Sequence, residues 1–326
     1  MAKFLVTGAA GFIASRVSEM LLGRGDIVFG VDNLNDAYDA RMKSRRLEQF
    51  ASNPAFTFKQ LDIADKQAVD DLAGEIGEVD GVINLAARAG VRASVENPWV
   101  FVDTNVTGTL NLLELCLKKG IKKFVLASTS SIYGQDAPLP TPETAESSFP
   151  LQPYAASKKS AEALCHAYHF LHEIDVTIFR YFTVYGPFGR PDMSIFRFIK
   201  WIYDDMPLHL NGDGEQSRGF TYVDDIAAGT ILGLKNVGFE IINLGGHENI
   251  TLNALIAMME EMIGKQAVVE RHPFPKADMR ANQADVTKAG ELLGWEPRVP
   301  LREGIRRTVD WYRQNHAWAS QLETGI

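Results

Sequence analysis

Tyr154 and Lys158 stand four residues apart in "PYAASKKS", with only small side chains between them. On a helix that spacing puts both on one face, where an ammonium lies close enough to favour a phenolate. A tyrosine so placed is a candidate base. Near the N-terminus, "VTGAAGFIAS" sets Gly8 and Gly11 between a strand-like run and a helical one. Glycines there let the backbone turn tightly and approach a pyrophosphate, which rests on the N–H groups and positive dipole end of the following helix. Asp32 closes the second strand-like run, 21 residues after Gly11. A carboxylate in that place accepts hydrogen bonds from adenosine ribose hydroxyls and repels a 2′-phosphate, so NAD is expected rather than NADP. Ala14 takes the usual third-glycine position as the next-smallest residue.

These groups need a frame, and the hydrophobic pattern supplies one. Strand-like runs "KFLVTG", "IVFGVDN", "FTFKQLDI", "VDGVINLAA", "KFVLASTS" and "VTIFRYFTVYG" alternate with helical patterns over 11–24, 41–51, 66–76, 98–119 and the helix opened by Tyr154. Such alternation predicts an α/β fold of Rossmann type, a doubly wound parallel sheet with helices on both faces. Beyond about residue 186 the pieces shorten, with "LHLNGDGEQSRGFTYVDD" and "FEIINLGG" set among helices near 194–205, 224–235, 252–263, 284–293 and 301–315. We read residues 1–185 as a dinucleotide-binding domain carrying the Tyr/Lys helix, and 186–326 as a smaller mixed α/β lobe interwoven with it. No internal repeat interrupts this pattern.

Bulk properties narrow the partners. Of 326 residues 46% are hydrophobic and 23% charged, with a net charge of −8 and a pI near 5.5, and no basic block long enough to track a phosphate backbone occurs, so nucleic acid is not expected. The chain runs straight into its first strand without a signal-like segment and has no run of about 18 apolar residues, which points to a cytoplasmic protein without membrane attachment. Cys116 and Cys165 form no metal or redox motif and read as buried free thiols in a reducing compartment. "HAYHFLH" spaces His166, His169 and His172 along a helix without an acidic ligand pattern, so no metal is expected there. "KSRRLEQ" reads as a solvated basic helix face, and Trp295 and Trp311 as packing residues of the C-terminal lobe.

The glycine turn, "VDNLNDAYD", "LDIAD", "NLAARAGVRASVENP", "ASTSSIYG", "PYAASKKS" and "RYFTVYGPFGRPDM" together resemble the extended short-chain dehydrogenases, in particular nucleotide-sugar 4-epimerases of the UDP-glucuronate type. The likeness covers essentially the whole chain. It implies that Gly8, Gly11, Phe12, Ile13, Asp32, Asn33, Asp62, Ile63 and Leu85, Ala86 and Ala87 surround NAD, with Lys158 on the nicotinamide ribose. It implies Tyr154 as the base, assisted by Lys158 and the nicotinamide charge, and Thr129 as the hydroxyl beside the reacting sugar. Ser130 and Ser131 stand where a dehydratase would show an Asp-Glu pair, and Thr183 where UDP-glucose 4-epimerases commonly have Asn. With Arg190 these hydroxyls are expected to hold a sugar carboxylate, and Arg218 and Arg280 the nucleotide diphosphate. Asn282 falls near a position where some relatives limit substrate size.

The expected reaction is NAD-dependent inversion at C4 of a UDP-sugar, foremost UDP-glucuronate to UDP-galacturonate, through a 4-keto sugar. Epimerisation of UDP-glucose or UDP-GlcNAc and decarboxylation of UDP-glucuronate stay open, as does an NAD(H)-sensing regulator, although such sensors typically lose the tyrosine and lysine retained here. The resemblance also implies a homodimer joined through a bundle of the helices near 98–119 and 154–173.

Overall fold

The structure is a computed structural model that describes residues 1–246, 248–275 and 278–325. In chain order its strands are β1 (Lys3–Thr7), β2 (Ile27–Asp32), β3 (Phe56–Gln60), β4 (Gly81–Asn84), β5 (Lys123–Thr129), β6 (Asp175–Tyr181), β7 (Thr183–Tyr185), β8 (Pro207–Asn211), β9 (Ser217–Tyr222), β10 (Phe239–Leu244), β11 (Asn249–Thr251) and β12 (Val268–His272). Seven of them form one sheet in the order β10-β6-β5-β4-β1-β2-β3, with every pairing parallel. The chain winds outward from β1 to β3, returns to β4 on the other side and winds outward again. The reversal between β1 and β4 opens a crevice at the strands' C-terminal ends.

Helices cover both faces, which explains why β4 and β5 are apolar runs rather than alternating ones: every residue of both strands is buried. Phe12–Gly23 and Val223–Leu232 pack one face through Ala14, Val17, Leu21, Ile226 and Ile231. Lys66–Glu75, Gly108–Lys119 and Pro153–His172 pack the other through Leu72, Leu112, Cys116, Ala161 and Cys165. Ser194–Tyr203, Leu252–Ile263 and Leu301–Ala319 enclose a separate core built on Trp201, Met259 and Tyr312. Two small sheets complete the fold, one ordered β11-β9-β7 and the other a parallel pair, β12-β8. β10 and the helix Val223–Leu232 come from beyond residue 186 and serve the large sheet.

Three expectations about the elements change. "VTIFRYFTVYG" is two strands, because the Phe182 N–H bonds to the Leu244 carbonyl at 3.0 Å and the chain then leaves for the small sheet, where β7 pairs with β9. The helix expected over 98–119 is Trp99–Val102, a π-helical turn Asp103–Thr107 and Gly108–Lys119. The turn aims Asn105 inward, where it accepts from Arg88 N (2.9 Å) and donates to Ser157 Oγ (2.9 Å). Trp311 does pack the C-terminal core, but Trp295 packs on the large-sheet side, its Nε1 donating to Asp225 O at 2.8 Å beside Gly229. A side chain at Gly229 would occupy the indole's place, 2.8 Å from that nitrogen.

Candidate active site

The groups singled out in the sequence fall along one rim, the C-terminal edge of the large sheet. Gly8 follows β1 with φ +70°, and a Cβ there would come within 2.8 Å of Ala86 N, so the turn lies directly against Leu85 and Ala86 after β4. Gly11 donates to Gly8 O at 2.7 Å, and its own Cβ would meet the same oxygen at 2.8 Å. Phe12 and Ile13 open the helix, whose N-terminus has no side-chain cap and no acidic residue in its first turn. Free N–H groups, a positive dipole end and space cleared of side chains are what a pyrophosphate requires.

Asp32 ends β2 with both carboxylate oxygens engaged: Oδ2 accepts from Ala10 N (3.2 Å) and Oδ1 from Leu34 N (2.7 Å). Asn33 donates to Asp62 Oδ2 at 2.8 Å, joining the ends of β2 and β3. Ile63 packs under Gly108, where a Cβ would stand 2.6 Å from its side chain. Below the turn, Thr7 Oγ1 donates to Asn84 Oδ1 (2.7 Å) and accepts from Ala86 N (3.1 Å). This buried clasp sets the height of Ala86 against Gly8. The residues present therefore fit an adenine dinucleotide: a bare cradle for its phosphates, an oriented carboxylate for a ribose, and partly exposed Leu85–Ala87 beside them.

Thr129 ends β5, and its hydroxyl caps the short 3₁₀ turn Ser130–Tyr133 by accepting from Ser131 N at 3.2 Å while lying 3.2 Å from Ser131 Oγ. Tyr154 stands beside it in the first turn of Pro153–His172, its ring edge-on to Phe101 at 6.1 Å. Burial raises the Tyr154 pKa above that of a free phenol, and the Thr129 hydroxyl and Arg190 guanidinium pull it back down. The cation expected to do this was Lys158. Its ammonium is instead held by the Ala127 carbonyl at 2.8 Å, and burial lowers its pKa to about 8. The helix brings both residues to the end of β5, but the lysine ammonium lies on the Ala127 carbonyl of that strand, and Arg190 is the cation whose charge bears on the phenol.

Arg190 forms a two-pronged pair with Asp192 (3.0 and 2.7 Å), reaches Ala89 O at 3.3 Å and lies over the Tyr38 ring at 5.0 Å. Past Thr129, a cavity of about 490 Å³ is lined by Ser130, Tyr133, Phe182, Phe274, Arg280 and Asn282 among others. Asn282 is 7% exposed and donates to Ser130 Oγ at 3.1 Å, while its Oδ1 has no partner among the described residues. Thr183 opens β7 directly after Phe182, a lining residue, but does not itself line the cavity. Arg280 lies over Phe274 at 5.2 Å. Arg218 sits behind it, donating to Ser217 O (2.8 Å) and Met279 O (2.6 Å). Of the two arginines, only Arg280 lines the cavity; Lys276 and Ala277 of the same motif lie outside the described residues.

The reading of "KSRRLEQ" as a solvated face holds for Ser44, Arg45, Glu48 and Gln49 but fails for Lys43 and Arg46. Arg46 is 1% exposed and Lys43 5%. Arg46 donates to Ala10 O (3.1 Å), to Phe188 O (3.0 and 2.8 Å) and to the Tyr38 hydroxyl (2.5 Å), and has no carboxylate in ion-pair range among the described residues. It thus ties the glycine turn to the loop that carries Arg190. Lys43 lies 3.5 Å from Asp32 Oδ1 and donates to Asn35 Oδ1 at 3.0 Å. A signal was present: Met42, Arg46 and Phe50 are four apart, so the buried stripe of this helix runs through Arg46. Asn105 and the Thr7–Asn84 pair had no such signal. On the helix Pro153–His172, the rings of His166 and His169 lie 5.0 and 5.5 Å from Phe239, His169 Nδ1 lies 2.8 Å from Ile174 O and the His172 ring lies 5.4 Å from that of Tyr168, so all three histidines are partnered by ring packing or backbone.

Residues 4–245 match the NAD dependent epimerase/dehydratase family. A UDP-glucuronate 4-epimerase of Thermodesulfobacterium geofontis (strain OPF15) is 55% identical over 316 residues, 97% of each chain. Among solved structures, the UDP-glucuronic acid 4-epimerase of Bacillus cereus, in complex with UDP-glucuronic acid and NAD, is similar with a TM-score of 0.90 at 38% identity, over 96% of this chain and 99% of that one. A UDP-glucose 4-epimerase of Thermotoga maritima with UDP-glucose reaches the same TM-score at 34% identity, over 96% and 99%. Backbone shape alone therefore does not distinguish the two sugars.

Proposed function

The chain belongs to the NAD dependent epimerase/dehydratase family, and from that premise we propose that it is an NAD-dependent enzyme inverting C4 of UDP-glucuronate to give UDP-galacturonate, with no net oxidation. The observation that carries this reading is the shared rim: a phenol, a hydroxyl and a dinucleotide cradle meet at one sheet edge, with hydroxyls rather than carboxylates at the two positions after Thr129.

NAD, when bound against Gly8, Gly11 and Asp32, supplies the hydride acceptor and donor at the sugar's C4. Tyr154 removes the proton from the 4-hydroxyl, with the Thr129 hydroxyl orienting that oxygen, and returns it after the 4-keto sugar has presented its other face. Arg190 favours the phenolate needed for the first step. Lys158 positions the nicotinamide ribose from its anchor on β5. Ser130 and Ser131 have no carboxylate with which to drive elimination, and dehydration is disfavoured.

A uronate at this site becomes a β-keto acid once C4 is oxidised, and loses carbon dioxide fastest when the carboxylate bond stands perpendicular to the ketone plane. We assign Thr129, Ser130, Ser131 and Thr183 to holding the carboxylate away from that geometry. Arg190, already paired with Asp192, contributes the surrounding charge. Arg280 at the cavity wall serves the diphosphate, and Arg218 supports that wall through Met279. Residues 186–326 supply most of the nucleotide-sugar contacts, and residues 1–185 the cofactor.

Two copies are assigned to pair through the helices near 98–119 and 154–173, on which Trp99 (75% exposed), Val102 and Phe170 (77%) leave apolar surface in water; light scattering that gave one chain mass would overturn this. No helix among the described residues is long and apolar enough to cross a membrane. The free, buried Cys116 and Cys165 support a cytoplasmic setting, and a mixed disulfide in protein taken from cells would count against it.

Proton NMR of the purified chain with UDP-glucuronate and no added NAD tests the whole reading. Growth of a UDP-galacturonate anomeric signal, absent with Tyr154→Phe, is the expected result. Unchanged substrate after NAD is supplied would sink it. UDP-pentose signals from Ser130→Ala or Thr183→Ala are expected as well, and their absence from both would remove the assigned role of the hydroxyls.

A further inference from the structure

Away from the rim, three side chains that bind transition metals converge on the two-stranded pair β8 and β12. His209 lies on β8, and Glu270 and His272 on β12. The strands run parallel with Glu270 opposite His209. Residues two apart on a strand share a face, so all three groups stand on one side of the pair. Arg271, between them, faces the other way and donates to Asp213 O.

Two of the separations among the three groups are close to those of a metal's coordination shell. His209 Nδ1 is 3.0 Å from His272 Nε2 and 3.4 Å from Glu270 Oε2, and all ligand atoms lie within 4.8 Å of one another. Ligands about 2.0–2.1 Å from a tetrahedral zinc ion stand about 3.3–3.4 Å apart. Without an ion, the close approach of the two imidazoles is satisfied by one ring donating to the other. A change of tautomer in one ring turns both lone pairs toward a common point without loss of a proton. Glu270 then offsets part of the cationic charge.

We propose that His209, Glu270 and His272 form a site for a divalent transition metal of the zinc class, with water completing the coordination. Two imidazoles and one carboxylate favour such an ion over magnesium or calcium, which take oxygen ligands. None of the three residues takes part in the chemistry assigned above, so the site is independent of it. Its place in the fold gives it a mechanical role. The His272 carbonyl accepts from Gly212 N at 2.7 Å, and the chain beyond β12 runs on to Phe274 and Arg280 at the cavity wall. An ion at this point clamps β8 to β12 at the base of that segment.

Equilibrium dialysis of the full chain against zinc chloride, with thermal melts on the same samples, tests the site. One saturable zinc per chain is expected, together with a rise in Tm. His209→Ala and His272→Ala should each weaken binding by about tenfold or more and abolish the rise. Both positions are at the surface of the pair, and melts without zinc check that the variants fold. His172→Ala, at an exposed histidine that ends the helix Pro153–His172, should bind as the native chain does. Absence of saturable binding, equal loss in His172→Ala, or undiminished binding in His209→Ala and His272→Ala overturns the site. Saturable binding without a rise in Tm overturns the clamp.

Discussion

The cofactor side and the sugar side of the rim are held together by different kinds of contact. The cofactor side is built mainly on backbone: Gly8 and Gly11 shape one turn, Asp32 bonds to Ala10 N from the end of β2, and one long-range pair, Thr7–Asn84, sets that turn against Ala86. The sugar side is assembled from segments far apart in the chain. Asn282 reaches Ser130 across 152 positions, and Arg218 reaches Met279 across 61. A cradle made of backbone tolerates change in the surrounding side chains, because its shape depends on a few φ angles and on the absence of Cβ atoms. A wall made of long-range polar contacts is easier to retune, one residue at a time, without disturbing the cofactor.

Tyr154→Phe should give the largest effect and the cleanest separation of the two sides. Loss of the phenolic oxygen is expected to lower turnover by about a thousandfold, while NAD released on denaturation, measured per chain, stays at the native level. Loss of NAD as well would mean that the two sides are not separable. Gly8→Ala should do the reverse. It forces a Cβ into a left-handed conformation and within 2.8 Å of Ala86 N, costing about 3 kcal/mol of stability. Denaturant melts and NAD content should fall together, and a variant with native NAD content would show that the turn has more room than its geometry implies.

Arg46→Met probes the link between the sides. It strands the carbonyls of Ala10 and Phe188, and the lost hydrogen bonds are offset only in part by removing a buried charge, for a net loss of about 2 kcal/mol. Retention of NAD and affinity for the UDP-sugar should both decline. A change in only one would break the proposed coupling.

The last effect, read only as a pH dependence, concerns Lys158. Burial holds its folded pKa near 8 against 10.5 in the free side chain, so the unfolded chain binds more protons between those values and stability rises with pH across that window. Urea melts of the native protein at pH 8 and near pH 10 should show this gain relative to Lys158→Met. Equal slopes would mean that the ammonium is solvated rather than held on Ala127.

Much of this was legible in the sequence, for reasons visible in particular residues. The short apolar runs at β4 and β5, set between helical patterns, fit strands covered on both faces, and Gly8 declares a backbone geometry that other residues resist. Arg46 was misread because its charge was weighed above its place on the Met42–Phe50 stripe. The helix over 98–119 was read as continuous because nothing local marks the π turn. That turn serves Asn105, whose partners Arg88 and Ser157 are distant in sequence.

The sequence by itself determined the alternation of strands and helices that builds the large sheet, the glycine turn after β1 and the shared helix face of the Tyr154 phenol and Lys158, since each rests on periodicity, on glycine's lack of a Cβ or on four-residue helical spacing. Only the tertiary structure decided which cation faces that phenol, where the ammonium of Lys158 goes, and that His209 meets Glu270 and His272. Those outcomes depend on distances between segments far apart in the chain, and such distances are set by how the whole sheet and its lobe pack.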